Sequence, residues 1–167
     1  ANVFNATRIT ANQQSTIIAT STTGTVSLVL FDATANQIIS NFNQFANVPS
    51  CVSTWLLSPS GTVVFAPNNP CGNWWYGPLT LAQGTYTIVV APAGSTAGSF
   101  TSALYDTTIP IANSVTFDGP LDDIIIRTPG QQGIETFAGA AGQSVMVRID
   151  FAQFNCVVYS IQNPDGS

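Results

Sequence analysis

The sequence predicts an all-β protein built on an antiparallel β-sandwich. Three observations carry this expectation. Apolar and polar residues alternate with period two in several segments, no segment shows a sustained helical apolar stripe, and turn residues punctuate the chain at short intervals. Thr25-Val26-Ser27-Leu28-Val29-Leu30-Phe31 is the first clear strand, followed by Thr85-Tyr86-Thr87-Ile88-Val89-Val90 and by Val145-Met146-Val147-Arg148-Ile149-Asp150-Phe151. Turn chemistry falls at Ser58-Pro59-Ser60-Gly61, Pro67-Asn68-Asn69-Pro70, Ala82-Gln83-Gly84, Pro92-Ala93-Gly94 and Asn163-Pro164-Asp165-Gly166. Short strands at this spacing, with no helices between them, predict a sandwich of the jelly-roll or immunoglobulin-like kind.

Composition narrows function before any motif is read. The 167 residues hold three Lys plus Arg, eight Asp plus Glu and no His, for a formal net charge of −5. Only 7% of residues are charged, against roughly 25% in an average globular chain. From Ala33 to Tyr105 there is no Asp, Glu, Lys or Arg. Nucleic-acid binding needs cations to neutralise phosphates, and this chain cannot form a basic stripe. Catalysis through His and His-ligated metals are excluded. No apolar run approaches the roughly 20 residues that span a bilayer, so membrane insertion is not expected. The content of 45% hydrophobic and 10% aromatic residues is ample for a core.

An internal repeat organises the chain. Leu30-Phe31-Asp32-Ala33-Thr34-Ala35-Asn36-Gln37 aligns with Thr136-Phe137-Ala138-Gly139-Ala140-Ala141-Gly142-Gln143, and Gln37 and Gln143 lie 106 residues apart. Gln44-Phe45-Ala46 matches Asp150-Phe151-Ala152 at the same offset. After a one-residue gap, Cys51-Val52 matches Cys156-Val157, and Ser58-Pro59-Ser60-Gly61 matches Asn163-Pro164-Asp165-Gly166. The copies have diverged, since Asn41 and Asn43 stand against Val147 and Ile149. Residues 1–106 are thus expected to form one complete sandwich, and residues 107–167 the first half of a second. A half-sandwich leaves an apolar face and open strand edges. It is resolved in one of three ways: the chain belongs to a longer repeat array, a neighbour supplies the missing strands, or the second half packs on the first.

The cysteines follow the repeat. Cys51 and Cys71 fall in the first copy and are expected to form a disulfide. Cys156 corresponds to Cys51 and is left unpaired or bonded to another chain; the bland alternative is three buried free thiols. Three Cys without His do not make a tetrahedral zinc set. A disulfide implies an oxidising compartment, and with the low charge this predicts an extracellular or cell-surface protein. The start Ala1-Asn2-Val3-Phe4 lacks a basic leader region and reads as a mature N-terminus. Asn5-Ala6-Thr7 is the one Asn-X-Ser/Thr sequon.

The segments Leu79-Thr80-Leu81-Ala82-Gln83-Gly84-Thr85-Tyr86-Thr87-Ile88-Val89-Val90 and Ala97-Gly98-Ser99-Phe100-Thr101-Ser102-Ala103-Leu104-Tyr105 resemble the closing hairpin of bacterial pre-peptidase C-terminal-type domains. Phe137-Ala138-Gly139-Ala140-Ala141-Gly142-Gln143 and Ile161-Gln162-Asn163-Pro164-Asp165-Gly166-Ser167 are similar to that family's Gly-Gln strand start and Asn-Pro-Asp-Gly turn. The resemblance covers the first copy from about Leu28 and all of the second, and departs at Asn36 and Ser60. It implies non-catalytic β-sandwich modules, often in tandem, attached to secreted enzymes or large surface proteins.

Three stretches stand out as candidate sites. Trp74, Trp75 and Tyr76 are consecutive, and strand neighbours alternate faces, so they cannot all point inward. The expectation is that Trp74 and Tyr76 cap the core while Trp75 lies along the surface. There it makes a protein contact or, as the alternative, stacks on a polysaccharide. Asp118, Asp122 and Asp123 form the one acidic cluster, a candidate Ca²⁺ loop without EF-hand spacing and the sole cofactor expectation. Val3 and Phe4 mark a candidate donor strand, with a surface strand of their own domain as the simpler reading. Catalysis has no support, because the plentiful Ser and Thr have no His or Lys to activate them. The expected function is a structural subunit that self-associates with its own copies into a cell-surface filament or layer by strand complementation. The alternative is an accessory binding or spacer module, for carbohydrate or protein, of a larger secreted enzyme or adhesin.

Overall fold

The computed structural model describes residues 2–20, 25–44, 51–66, 72–92, 97–150 and 157–165. The chain divides into two compact units, Ala1–Phe137 and Ala138–Ser167. Eleven strands are found among the described residues of the first unit, and no helix. They are β1 (Asn2–Arg8), β2 (Thr16–Thr20), β3 (Thr25–Ala33), β4 (Gln37–Gln44), β5 (Val52–Leu57), β6 (Val63–Phe65), β7 (Trp74–Leu81), β8 (Gly84–Pro92), β9 (Gly98–Asp106), β10 (Ile111–Ser114) and β11 (Gly133–Thr136).

The first nine strands make a β-sandwich. One sheet has the order β1-β3-β8-β5-β6 and the other β2-β9-β4-β7. The alternation visible in the sequence becomes the two faces of these sheets. On β3, Ser27, Val29, Phe31 and Ala33 are buried while Val26, Leu28 and Leu30 are only half-buried. Tyr86, Ile88 and Val90 of β8 and Val52 and Leu56 of β5 are buried from the same sheet. Ile18, Ile39, Tyr76, Leu81, Phe100 and Leu104 complete the core from the other. A buried side chain of this size contributes roughly 1.5–3 kcal/mol of transfer free energy, so these residues account for the stability of a nearly uncharged module.

Two features depart from simple antiparallel alternation. β1 pairs parallel with β3, as an edge strand. In the other sheet the β4–β7 register shifts between Ile39 and Asn41. Gly77 sits opposite this bulge with φ +104, and a Cβ there would lie 2.6 Å from the Ile39 carbonyl oxygen. Only glycine satisfies both the backbone angle and the space.

β10 and β11 form a separate two-stranded parallel sheet. The second unit contains no strand among its described residues. It holds a turn closed by Gln143 N–H donating to the Ala140 carbonyl at 3.0 Å and by Ala140 N–H donating to Gln143 Oε1 at 2.9 Å. An exposed Arg148–Asp150 ion pair at 2.8 Å lies beyond the turn. The strand expected over Val145–Phe151 is therefore not formed over residues 145–150, and Phe151 lies outside the described residues. Its alternation is intact, but a strand needs a partner for its backbone groups, and none is present among the described residues.

Candidate functional site

The parallel pair β10–β11 repeats β1–β3 in register. Asn5, Ala6, Thr7 and Arg8 stand opposite Ser27, Leu28, Val29 and Leu30. Ile111, Ala112, Asn113 and Ser114 stand opposite Gly133, Ile134, Glu135 and Thr136, each partner 106 residues further along. The closing hydrogen bond moves with them: Ile9 N–H donates to the Leu30 carbonyl at 2.9 Å and Val115 N–H to the Thr136 carbonyl at 2.9 Å. The turns keep the same spacing. Asn12 (φ 61) and Asp118 (φ 55) share the left-handed conformation, as do Asn36 (φ 61) and Gly142 (φ 78).

The strands missing from the second half obey one rule. β3 is flanked by β1 and β8, β2 pairs only with β9, β4 with β7 and β9, and β5 with β6 and β8. At the repeat spacing, residues 107–167 contain counterparts of β1 to β5 and of none of the later strands. The one pairing with both members present, β1·β3, is the one that recurs. Residues 122–126, 143–150 and 157–162 correspond to β2, β4 and β5; their partners are lacking, and they are not strands.

β11 consequently has an open edge among the described residues. Gln132 and Thr136 turn their carbonyls toward β10, where they accept from Ile111 N–H and Val115 N–H. Backbone groups alternate sides along a strand, so Gly133, Glu135 and Phe137 direct theirs away from β10. In the first sandwich the equivalent residues Ser27, Val29 and Phe31 pair antiparallel with Val90, Ile88 and Tyr86 of β8. Phe31 and Tyr86 stack there with centroids 5.7 Å apart. Phe137 instead meets Phe117 edge-on. Glu135 and Phe137 form no functional motif by themselves; only the 106-residue offset, which sets them against Val29 and Phe31, marks them.

The aromatic run divides as strand alternation requires. Tyr76 is buried, Trp74 half-buried and Trp75 exposed. Phe65, Trp74 and Tyr76 form one inner cluster with centroids 5.1–6.1 Å apart. Burial pushes the Tyr76 hydroxyl well above its ordinary pKa, and neither it nor Trp74 Nε1 has a hydrogen-bond partner among the described residues. Trp75 lies on the outer face, 49% exposed, stacked on its cross-strand neighbour Phe42 at 4.3 Å and facing Tyr105 at 6.1 Å. The outer face is also covered at Ser40, whose Oγ donates to the Pro129 carbonyl at 2.6 Å.

The remaining candidates lie apart from this face. Val3 and Phe4 belong to β1, which pairs with β3 of its own sandwich, and Val3 is exposed. Asn5 of the sequon lies half-buried in the same strand. Asp118 occupies a turn, while the Asp122 carboxylate accepts from Asn113 Nδ2 at 2.8 Å and from Asp123 N–H at 3.0 Å. The three carboxylates are not gathered, and no group of three or more acidic or Cys residues able to hold a metal is found among the described residues. Cys51 is half-buried just before β5; Cys71 and Cys156 lie outside the described residues. Among the described residues, no helix is long and apolar enough to cross a membrane.

Fold and site together define a β-sandwich module followed by a strand edge that is unpaired among the described residues. No family model matches the chain, and no curated protein matches it. Among solved structures, the pre-peptidase C-terminal domain of a collagenase from Bacillus anthracis is similar, at 14% identity and TM-score 0.47, over 59% of this chain and 93% of that one. PliG of Aeromonas hydrophila, a periplasmic inhibitor of g-type lysozyme, is similar at 16% identity and TM-score 0.39, over 60% and 96%.

Proposed function

We propose that the chain is a non-catalytic extracellular structural module, a β-sandwich repeat that joins the next module of a surface filament or layer by strand completion. The observation that carries this reading is the shared register of β1–β3 and β10–β11, with the β8-facing edge filled in the first pair and open in the second. Residues 107–167 are then the opening part of a second sandwich, completed by strands from outside these residues, and copies self-associate through successive modules. The absence of Lys and His from the sequence leaves its hydroxyls without an activating base. The uncharged stretch from Ala33 to Tyr105 removes the repulsion that keeps modules apart. In an oxidising location Cys51 bonds to Cys71, leaving Cys156 unpaired or bonded to another chain.

Cross-linking mass spectrometry on protein taken from the surface of the producing cells tests this. The reading expects cross-links from residues 131–137 to a neighbouring polypeptide. A monomer without such links refutes it.

A second reading, an accessory module that binds polysaccharide, is favoured by the half-exposed Trp75 ring. Trp75→Ala with unchanged polysaccharide retention removes it.

A further inference from the structure

The open edge of β11 also specifies what pairs with it. A strand added in the register of β8 sets three of its residues opposite Gly133, Glu135 and Phe137, where the first sandwich has Val90, Ile88 and Tyr86 opposite Ser27, Val29 and Phe31. Two of these positions keep their character. Phe137 repeats Phe31, which stacks on Tyr86, and Gly133 repeats the small Ser27. The middle one does not: Glu135 stands where Val29 is fully buried. An apolar residue such as Ile88 placed over Glu135 leaves a carboxylate sealed in without a partner, whereas a cation on the added strand pairs with it.

We propose that β11 accepts an antiparallel strand with the pattern aromatic-x-basic-x-apolar, the aromatic over Phe137 and the Lys or Arg over Glu135. This rests on the strand-completion reading above and names the chemistry of its partner. The chain contains no Lys, and its three arginines, Arg8, Arg127 and Arg148, come two residues after Ala6, Ile125 and Met146. None of these is aromatic, so the pattern is absent from the 167 residues and the occupant is a segment that lies outside them.

The 167-residue chain is tested against three synthetic peptides of residues 84–92: the native sequence, one carrying Ile88→Lys, and one carrying Ile88→Lys with Tyr86→Ser. The Lys peptide is expected to slow amide exchange at Gly133 and Glu135 and to bind at least about fivefold tighter than either other peptide, the scale of cross-strand pair energies. The Glu135→Lys chain is expected to reverse the preference toward a peptide carrying Ile88→Glu. Equal binding of native and Lys peptides overturns the proposal, as does the absence of protection with every peptide. Concentration-dependent protection of Gly133 and Glu135 in the chain alone also overturns it, since a second copy is then the occupant. Surface cross-links without peptide discrimination count against this partner chemistry alone. Peptide discrimination in a protein that is monomeric on the cell counts against the assembly reading alone.

Discussion

Ile111 stands opposite Gly133 in a parallel pair, the relationship that Asn5 and Ser27 hold at the edge of the first sandwich. Parallel pairing needs a connection of about a dozen residues or more, and it recurs here at one spacing with one register. β8 lies on the other side of β3. β11 has no such neighbour among the described residues, and the described residues beyond it stay outside any sheet, with exposed apolar side chains such as Met146 and Val158.

Tyr76 is a stabilisation target. Its hydroxyl is buried without a partner among the described residues, a state that costs roughly 1–3 kcal/mol. Tyr76→Phe retains the ring contacts with Phe65 and Trp74 and is expected to raise stability by about 1 kcal/mol, read as a higher urea midpoint at unchanged slope. A lower midpoint contradicts the assignment.

Gly77 is expected to be intolerant of any side chain. Its φ of +104 and the 2.6 Å approach of the Ile39 carbonyl oxygen oppose Ala together. Gly77→Ala should destabilise the first sandwich by roughly 2–3 kcal/mol. Gly61→Ala, with positive φ but open space, should cost less, and thermal melts of the two variants compare them directly.

Acid should weaken the first sandwich through two carboxylates. Hydrogen bonding from Thr85, then from Arg8, holds Asp32 below the ordinary 3.8. At Asp106 burial acts upward, but hydrogen bonds from Thr108 and Gln37 outweigh it and keep the group below 3.8. A carboxyl lowered in the folded state contributes stability that is present above the unfolded pKa and is lost as pH falls through the folded value. Melting temperature should therefore be flat near neutrality and fall below pH 3.8. Asp106→Asn should flatten that acid limb.

Much of the fold was legible because its signals are local. The alternation over Thr25–Phe31 and Thr85–Val90 lies within single segments, and the resulting strands are β3 and β8. The division of Trp74, Trp75 and Tyr76 between faces comes from the same geometry. The illegible part depends on partners distant in sequence. Val145–Asp150 alternates as well as Thr25–Phe31 does, yet only the latter has β8 beside it. The parallel placement of β1 and the outer stack of Phe42, Trp75 and Tyr105 likewise join residues from separate strands. Glu135 carried a usable signal, a charge at the repeat position of a buried valine, but its meaning required knowing that Val29 faces inward beside β8.

The central claim is that residues 122–126, 143–150 and 157–162 carry the pattern of β2, β4 and β5 and become strands once partners are supplied. Amide hydrogen exchange measures this most directly, comparing the chain with a version that carries a further copy of residues 62–106, with Ile88→Lys, after Ser167. Residues 122–126, 143–150 and 157–162 should exchange freely in the chain as it stands and become protected, like β2, β4 and β5, in the extended one. Persistent free exchange in all three segments, with the added copy equally unprotected, would contradict the account.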